Sequence, residues 1–419
     1  MPNFCDISDS VRIINLTDSK FKTFRIAFKM LMPLDKETAS EHAVLTSIVC
    51  RLTNEYPEYT ALSRKLASLY GASIYSDITK MGDNQVLNVA LSGISGKYAF
   101  GGEKMEQELL SILLSAVFTP LKDERGLFPE ESFVQEKRQI IEAIEADFND
   151  KRIYAIDKCL KELYRNEKAG LSKYGTLESV KNIDETKLPK FWNNVLKKAQ
   201  FVIFVSGDCD YKYIENTVRE KFNFERAPYK LTNEAKKAGQ ELHVVSEEMK
   251  LAQSKLVLGF KTQCEDINAM KLMSVIFGGS PTSKLFMNVR EKLSLCYYCS
   301  CRPALLKKAL LVESGVETDK LEAAKEAILK ELEDIRQGNI TEEEFTAAKL
   351  ALYNSLNGIE DSLYSLEIFY QNQIFDSEVL TPMEQLKKIE AVSLSDVINA
   401  AKLTKLDTVY TLVGTTVNN

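Results

Sequence analysis

Few residues of this chain could do chemistry. Histidine occurs twice, as His42 and His243, in different halves of the chain. Two histidines four apart on a helix can share one metal ion, and no such pair exists here. Each lone histidine reads as structural. Cys296, Cys299 and Cys301 form C-x-x-C-x-C, a spacing that suits metal or redox chemistry. The segment reads as a strand, whose side chains alternate between faces. Cys299 and Cys301 then share a face and Cys296 points to the other. No fourth ligand cluster or nearby histidine accompanies them, so buried structural thiols are the expectation. Glu142 and Glu145 lie three apart on a helical segment, with Asp147 beyond. Without partner ligands they read as solvated acids. Gly278-Gly279 is followed by no Gly-Lys-Ser/Thr, so it is no phosphate loop. Arg290 offers a rigid fork of N–H donors and Tyr297 a phenolic donor on a stiff ring. Such donors can stabilise an oxyanion in hydrolysis. By residue type alone, an Arg on a helix is a solvated charge and a Tyr opening an apolar strand is core.

The elements that must position these residues alternate between strand and helix patterns. Phe24 to Phe28, Gln85 to Leu91, Phe201 to Val205, Ser254 to Phe260 and Thr408 to Val413 read as strands from their β-branched or alternating content. Helical spacing runs from His42 to about Leu52, from Ala61 to Leu69, and from Pro129 past Ile144. Asp123 to Gly126 and Gly338-Asn339 break the pattern.

With 419 residues, 45% hydrophobic and 27% charged, the chain can bury more than one core. Its net charge of -6 and lack of long basic runs argue against a nucleic-acid groove. The opening MPNFCDISDSVRIINL has no basic region followed by a long apolar stretch, so no secretory signal is expected. No window has the ~18 consecutive apolar residues of a membrane span. Eight scattered cysteines suit a reducing cytoplasm better than a disulfide framework.

Arg226 to Glu241 is polar and reads as a linker between two halves of similar length. The halves repeat each other. PEESFVQEK from Pro129 matches TEEEFTAAK from Thr341, each a helix start followed by acids that favour the helix dipole. RKLASLYGASIYSD from Arg64 resembles FMNVREKLSLCYYCS from Phe286, in the same order relative to the first pair.

The segment from Phe277 to Ser300, FGGSPTSKLFMNVREKLSLCYYCS, resembles the second-half signature of the insulinase, pitrilysin and mitochondrial processing peptidase family. Gly278, Gly279, Ser283, Leu285, Phe286, Arg290, Glu291, Lys292, Leu295 and Tyr297 all fit it. FVIFVSGDCD, a strand ending in Gly207-Asp208, and the duplicated order of elements are similar too. The resemblance implies an α+β fold of two homologous halves arranged as a clamshell. Each half is expected to be a mainly antiparallel sheet with helices packed on one face. The halves are read as residues 1–225 and 242–419, joined by the linker at 226–241.

Active members carry an inverted zinc motif, His-x-x-Glu-His, on a first-half helix, with an acid from a later helix as third ligand. Aligned on the LYGAS turn, this chain has Ala43 and Ser47 in place of the histidines and Thr46 in place of the general base. Ala143, with Glu142 before it, stands where the ligating acid is expected, so the nearby acids also read as relics of that site. The resemblance therefore implies no catalytic residue and no metal or other cofactor held by this chain. It implies substrate binding by Arg290 and Tyr297 in a non-catalytic subunit. Zinc is expected in a homologous partner subunit, forming a heterodimer that hydrolyses peptides, with a homodimer possible in isolation. No nucleic acid or membrane partner is expected. The alternative is a peptide- or protein-binding assembly factor in a maturation pathway, with no peptidase role.

Overall fold

The structure, a computed structural model, describes residues 2–415. Among the described residues, eleven strands form two sheets. The first sheet contains β1 (Asn3–Ser8), β2 (Val11–Thr17), β3 (Thr23–Pro33), β4 (Ser73–Met81), β5 (Asn84–Ile94) and β6 (Gln200–Gly207). The second contains β7 (His243–Lys250), β8 (Ser254–Thr262), β9 (Cys296–Ala304), β10 (Ala309–Val316) and β11 (Thr404–Thr415). All five segments read as strands from the sequence fall inside these elements.

The duplication is visible in the pairing. The first sheet runs β1-β2-β6-β3-β5-β4 and the second β7-β11-β8-β10-β9. Setting β1 aside, the orders correspond strand for strand. The β2–β6 and β7–β11 pairs are parallel, and every other matched pair is antiparallel. Both sheets are therefore mainly antiparallel, as expected.

One face of the first sheet carries Phe24, Ile26, Phe28 and Met30 into a core shared with α1 (Ala39–Ile48), α2 (Tyr59–Ser68), α3 (Met105–Phe118) and α4 (Glu130–Asn149). The period-2 spacing of these residues is what selects the buried face. In the second sheet Leu256, Leu258, Phe260, Leu310, Val312 and Val409 do the same against the helices Ile267–Ser274, Leu321–Arg336 and Glu342–Asn357. Thr341 caps the last of these in a reciprocal box with Glu344, which explains the TEEE signature.

The structure adds a helix to the second face of each sheet. The chain forms two compact units, and neither is one continuous stretch. One comprises the chain up to Glu145, Leu171–Thr232 and Asp361–Ser377. The other comprises Ala146–Gly170, Asn233–Glu360 and the chain from Glu378 onward. Thus α5 (Lys151–Leu163), which directly follows α4, joins the second sheet. Asp150 caps it by accepting from the Arg152 and Ile153 amides. Its buried Ala155, Cys159 and Leu163 recur every four residues, and the first two meet Val257, Leu311 and Tyr410. The helix Leu363–Gln371, which follows the matching helix of the second half, joins the first unit.

Each exchanged segment is fastened by one buried glutamate between two cations. In the first unit Glu367 pairs with Arg25 and Lys29 of β3. In the second, Glu167 pairs with Lys261 and Lys307, each at 2.7 Å. Residues 226–239 carry no helix or strand. The start of this stretch is tied to the first unit, because Arg226 donates to the Leu196 carbonyl at 2.9 Å and the Tyr229 carbonyl accepts from Gln200.

Candidate functional site

The second-unit residues singled out from the sequence sit on an unusual turn into a sheet edge. Val275–Gly279 and Leu285–Lys292 are wound wider than an α-helix, with i+5 hydrogen bonding; the Leu293 amide reaches the Asn288 carbonyl at 2.9 Å. Gly278 makes this possible. A Cβ there would lie 2.7 Å from both the Cys301 amide nitrogen and Leu285 Cδ1. The glycine thus lets the first wide turn press against β9. Leu285 and Val289 anchor the second wide helix in the core. Its polar flank is held by Lys284 on Glu344 at 3.0 Å and Asn288 on Glu331 at 2.8 Å.

Arg290 emerges from this helix half-exposed. Its guanidinium lies 4.4 Å from the Phe286 ring centroid, and Nη1 is 3.3 Å from the Glu291 carboxylate. The chain then turns through Ser294, whose φ of 50° is left-handed, and enters β9. Tyr297 is 61% exposed. Its hydroxyl donates to Glu317 at 3.3 Å. The structure therefore shows Tyr297 on the surface, not in the core that its residue type suggests.

The reason is a bulge. In the β9–β10 ladder Gly315 faces Tyr298 while Val316 faces Cys296, so Tyr297 is the extra residue without a partner. A bulge shifts the alternation of the strand by one residue. It also corrects the expected placement of Cys296. Val316 and Ser314 lie on one face of β10, and they face Cys296 and Cys299. Cys296 therefore shares the core-facing side with Cys299 and Cys301. The period-2 rule fails here because one extra residue intervenes.

The eight cysteines are all free, and they differ in acidity. A hydrogen bond from Cys299, with help from the Ser314 hydroxyl and the Arg290 charge, brings Cys296 down to about 7 against the opposing effect of burial. The other seven are raised, with Cys50 and Cys209 pushed up to about 12 by burial.

The first-unit positions aligned with the zinc ligands hold something else. Ala43 and Thr46 on α1 have no solvent exposure. Ala43 packs in the hydrophobic core, and Thr46 Oγ1 donates to the His42 carbonyl of its own helix at 2.7 Å. Ser47 is partly buried, with its hydroxyl 3.4 Å from that of Ser76. Ala143 is a partly buried position on α4. Nearby, Arg51, in the turn after α1, pairs with Glu136 of α4 at 2.7 Å. These side chains offer neither imidazole nor carboxylate, so they do not fit a zinc ion. Among the described residues no three His, Cys, Asp or Glu gather as a metal site. His42 is buried and its Nδ1 lies 3.0 Å from Gln85 Oε1. Gln85 uses its amide to donate to the Ala39 and Lys173 carbonyls, so His42 Nδ1 carries the proton of this bond. His243 pairs with Glu162 at 2.9 Å. Glu142 is exposed and pairs with Arg138, and Glu145 and Asp147 lie on the same α4 helix.

Residues 182–352 match the family described as the Peptidase M16 inactive domain. A probable inactive metalloprotease, YmfF, of Bacillus subtilis (strain 168) is 31% identical over 404 residues, which cover 94% of each chain. The chain belongs to the M16 peptidase family. A second B. subtilis relative of this M16 chain, the uncharacterized zinc protease YmxG, is 25% identical over 301 residues, 70% of this chain and 71% of that one. The crystal structure of a conserved protein from Enterococcus faecalis V583 matches this M16 fold with a TM-score of 0.91 at 28% identity, covering 100% of both chains. Among the described residues of this M16 chain, no helix is long and apolar enough to cross a membrane.

The buried Arg25–Lys29–Glu367 cluster was missed from the sequence. Its signal was present: two cations four apart, on one face, within the apolar run FRIAFKMLM.

Proposed function

We propose that this chain is a non-catalytic peptidase subunit that pairs with a zinc-bearing His-x-x-Glu-His homologue. It helps bind and orient peptide while the partner supplies zinc, water and general base. One contrast carries the reading. The first-unit positions have been absorbed into packing, whereas Arg290 and Tyr297 remain presented to solvent by a wide helix and a bulge. Bulges and wide helical turns of this kind commonly aim functional side chains. Arg290 would grip backbone carbonyls or a developing oxyanion, with Tyr297 as second donor. Bacillus subtilis has both a relative named inactive and one named a zinc protease, which fits a division of labour. Eight free cysteines fit a reducing cytoplasm.

The purified chain is expected to hydrolyse no peptide, and mixing with the zinc-bearing partner is expected to give hydrolysis. Arg290→Ala in the mixture should lower kcat about a hundredfold if it serves the oxyanion. Unchanged activity of the Arg290→Ala mixture would remove the assigned role. Activity of the zinc chain alone, equal to that of the mixture, would remove the pairing.

A further inference from the structure

We infer that Cys296 and Cys299 form a peroxide-reactive thiol pair, with Cys296 as the attacking sulfur and Cys299 as the resolving one. Geometry is the starting point. The Tyr297 bulge turns Cys296 onto the face that already holds Cys299, facing Val316 and Ser314 of β10. The two thiols shift each other's acidity in opposite directions, Cys296 down and Cys299 up. Cys296 is half-buried at the sheet edge, whereas Cys299 is almost wholly buried behind it. Without the bulge, alternation would put the sulfurs on opposite faces of the sheet.

The surroundings favour negative charge on Cys296 only. The Cys299 thiol can donate to it, and Arg290 adds a positive charge from the preceding helix. Reactive cysteines sit in partly exposed, electropositive surroundings of this kind. The other cysteines lack this combination. Cys5 comes closest, with Arg219 at 3.1 Å, but the same sulfur also faces the Glu215 carboxylate at 3.2 Å.

The chemistry balances with hydrogen peroxide as oxidant. The Cys296 thiolate attacks one peroxide oxygen and the O–O bond breaks. Hydroxide leaves and takes a proton, giving water and a Cys296 sulfenic acid. The Cys299 sulfur then attacks Cys296, the S–O bond breaks, and a second water leaves with the Cys299 proton. Two thiols and one peroxide become one disulfide and two waters. The ring so closed contains Tyr297 and Tyr298.

The test uses the full chain and needs no peptidase partner, so it stands apart from the binding role. At neutral pH, iodoacetamide should label Cys296 about tenfold faster than any other cysteine, from its larger thiolate fraction. Limiting hydrogen peroxide, followed by alkylation and peptide mass spectrometry, should show the Cys296–Cys299 disulfide before any other oxidation. In Cys299→Ser, dimedone should trap a sulfenic acid on Cys296. The inference fails if the wild-type peptide keeps both thiols while other cysteines oxidise. It fails equally if Cys296 oxidises without joining Cys299.

Discussion

Lys29 on β3 places its ammonium nitrogen 2.6 Å from the carboxylate of Glu367, which has no solvent exposure. Arg25 binds the same carboxylate from two residue pairs along the strand and stacks 4.5 Å from the Tyr75 ring centroid. The carboxylate thus balances two buried cations and holds the helix Leu363–Gln371 on the second face of the first sheet. Glu367→Gln would leave both cations without a charge partner. It is expected to lower unfolding stability by about 3–5 kcal/mol. The combined Arg25→Met, Lys29→Met, Glu367→Leu variant should recover most of that loss, because apolar groups of similar volume need no partner. Urea midpoints compare the three proteins. Equal midpoints for wild type and Glu367→Gln would mean the cluster does not fasten the helix.

His42 gives a pH dependence with a definite sign. Burial lowers its pKa from 6.5 to about 4, partly opposed by the Gln85 hydrogen bond. The folded state therefore keeps the ring neutral where the unfolded chain protonates it. Between about pH 6.5 and 4 the unfolded state binds more protons, so stability is present above 6.5 and is lost as pH falls. The loss from this group is about 3 kcal/mol by pH 4. His42→Gln should flatten this part of the stability profile. An unaltered slope in that variant would assign the acid sensitivity to other groups.

Restoring the zinc motif should not restore a zinc site. Ala43→His, Thr46→Glu, Ser47→His and Ala143→Glu together rebuild the residue types of the family motif. Ala43 and Thr46 are fully enclosed, so the first two changes overfill the core and cost about 1–3 kcal/mol each. A lowered Tm without stoichiometric zinc, by metal analysis after dialysis, is the expected result. A stable, zinc-loaded product would show that the pocket has kept its shape.

Gly278→Ala tests the seat of the wide helix. Its methyl would meet the Cys301 backbone at 2.7 Å, so the turn must back away from β9. A cost of about 1–3 kcal/mol is expected. Faster amide exchange across Cys296–Ala304, with the first sheet unaffected, should accompany it. Uniform loosening of both sheets would argue against a local role.

Much of this protein is legible from its residues in order. The period-2 runs of FRIAF and SKLVLGF select their buried faces, and the TEEE and PEES starts announce their helices, because these depend on neighbours along the chain. The repeated segments revealed the duplication, and two distant histidines ruled out a paired-histidine metal site. The tertiary structure decided three further things. It sent α5 and its counterpart Leu363–Gln371 to the unit opposite their neighbours in sequence. It buried Glu367 against cations 342 residues away, in the case of Arg25. It inserted Tyr297 as a bulge, which exposes its ring and turns Cys296 inward. The physical reason is common to all three. Periodicity records what a residue's chain neighbours require, whereas a bulge depends on the register of the facing strand, and a buried ion pair on which distant surface closes over it.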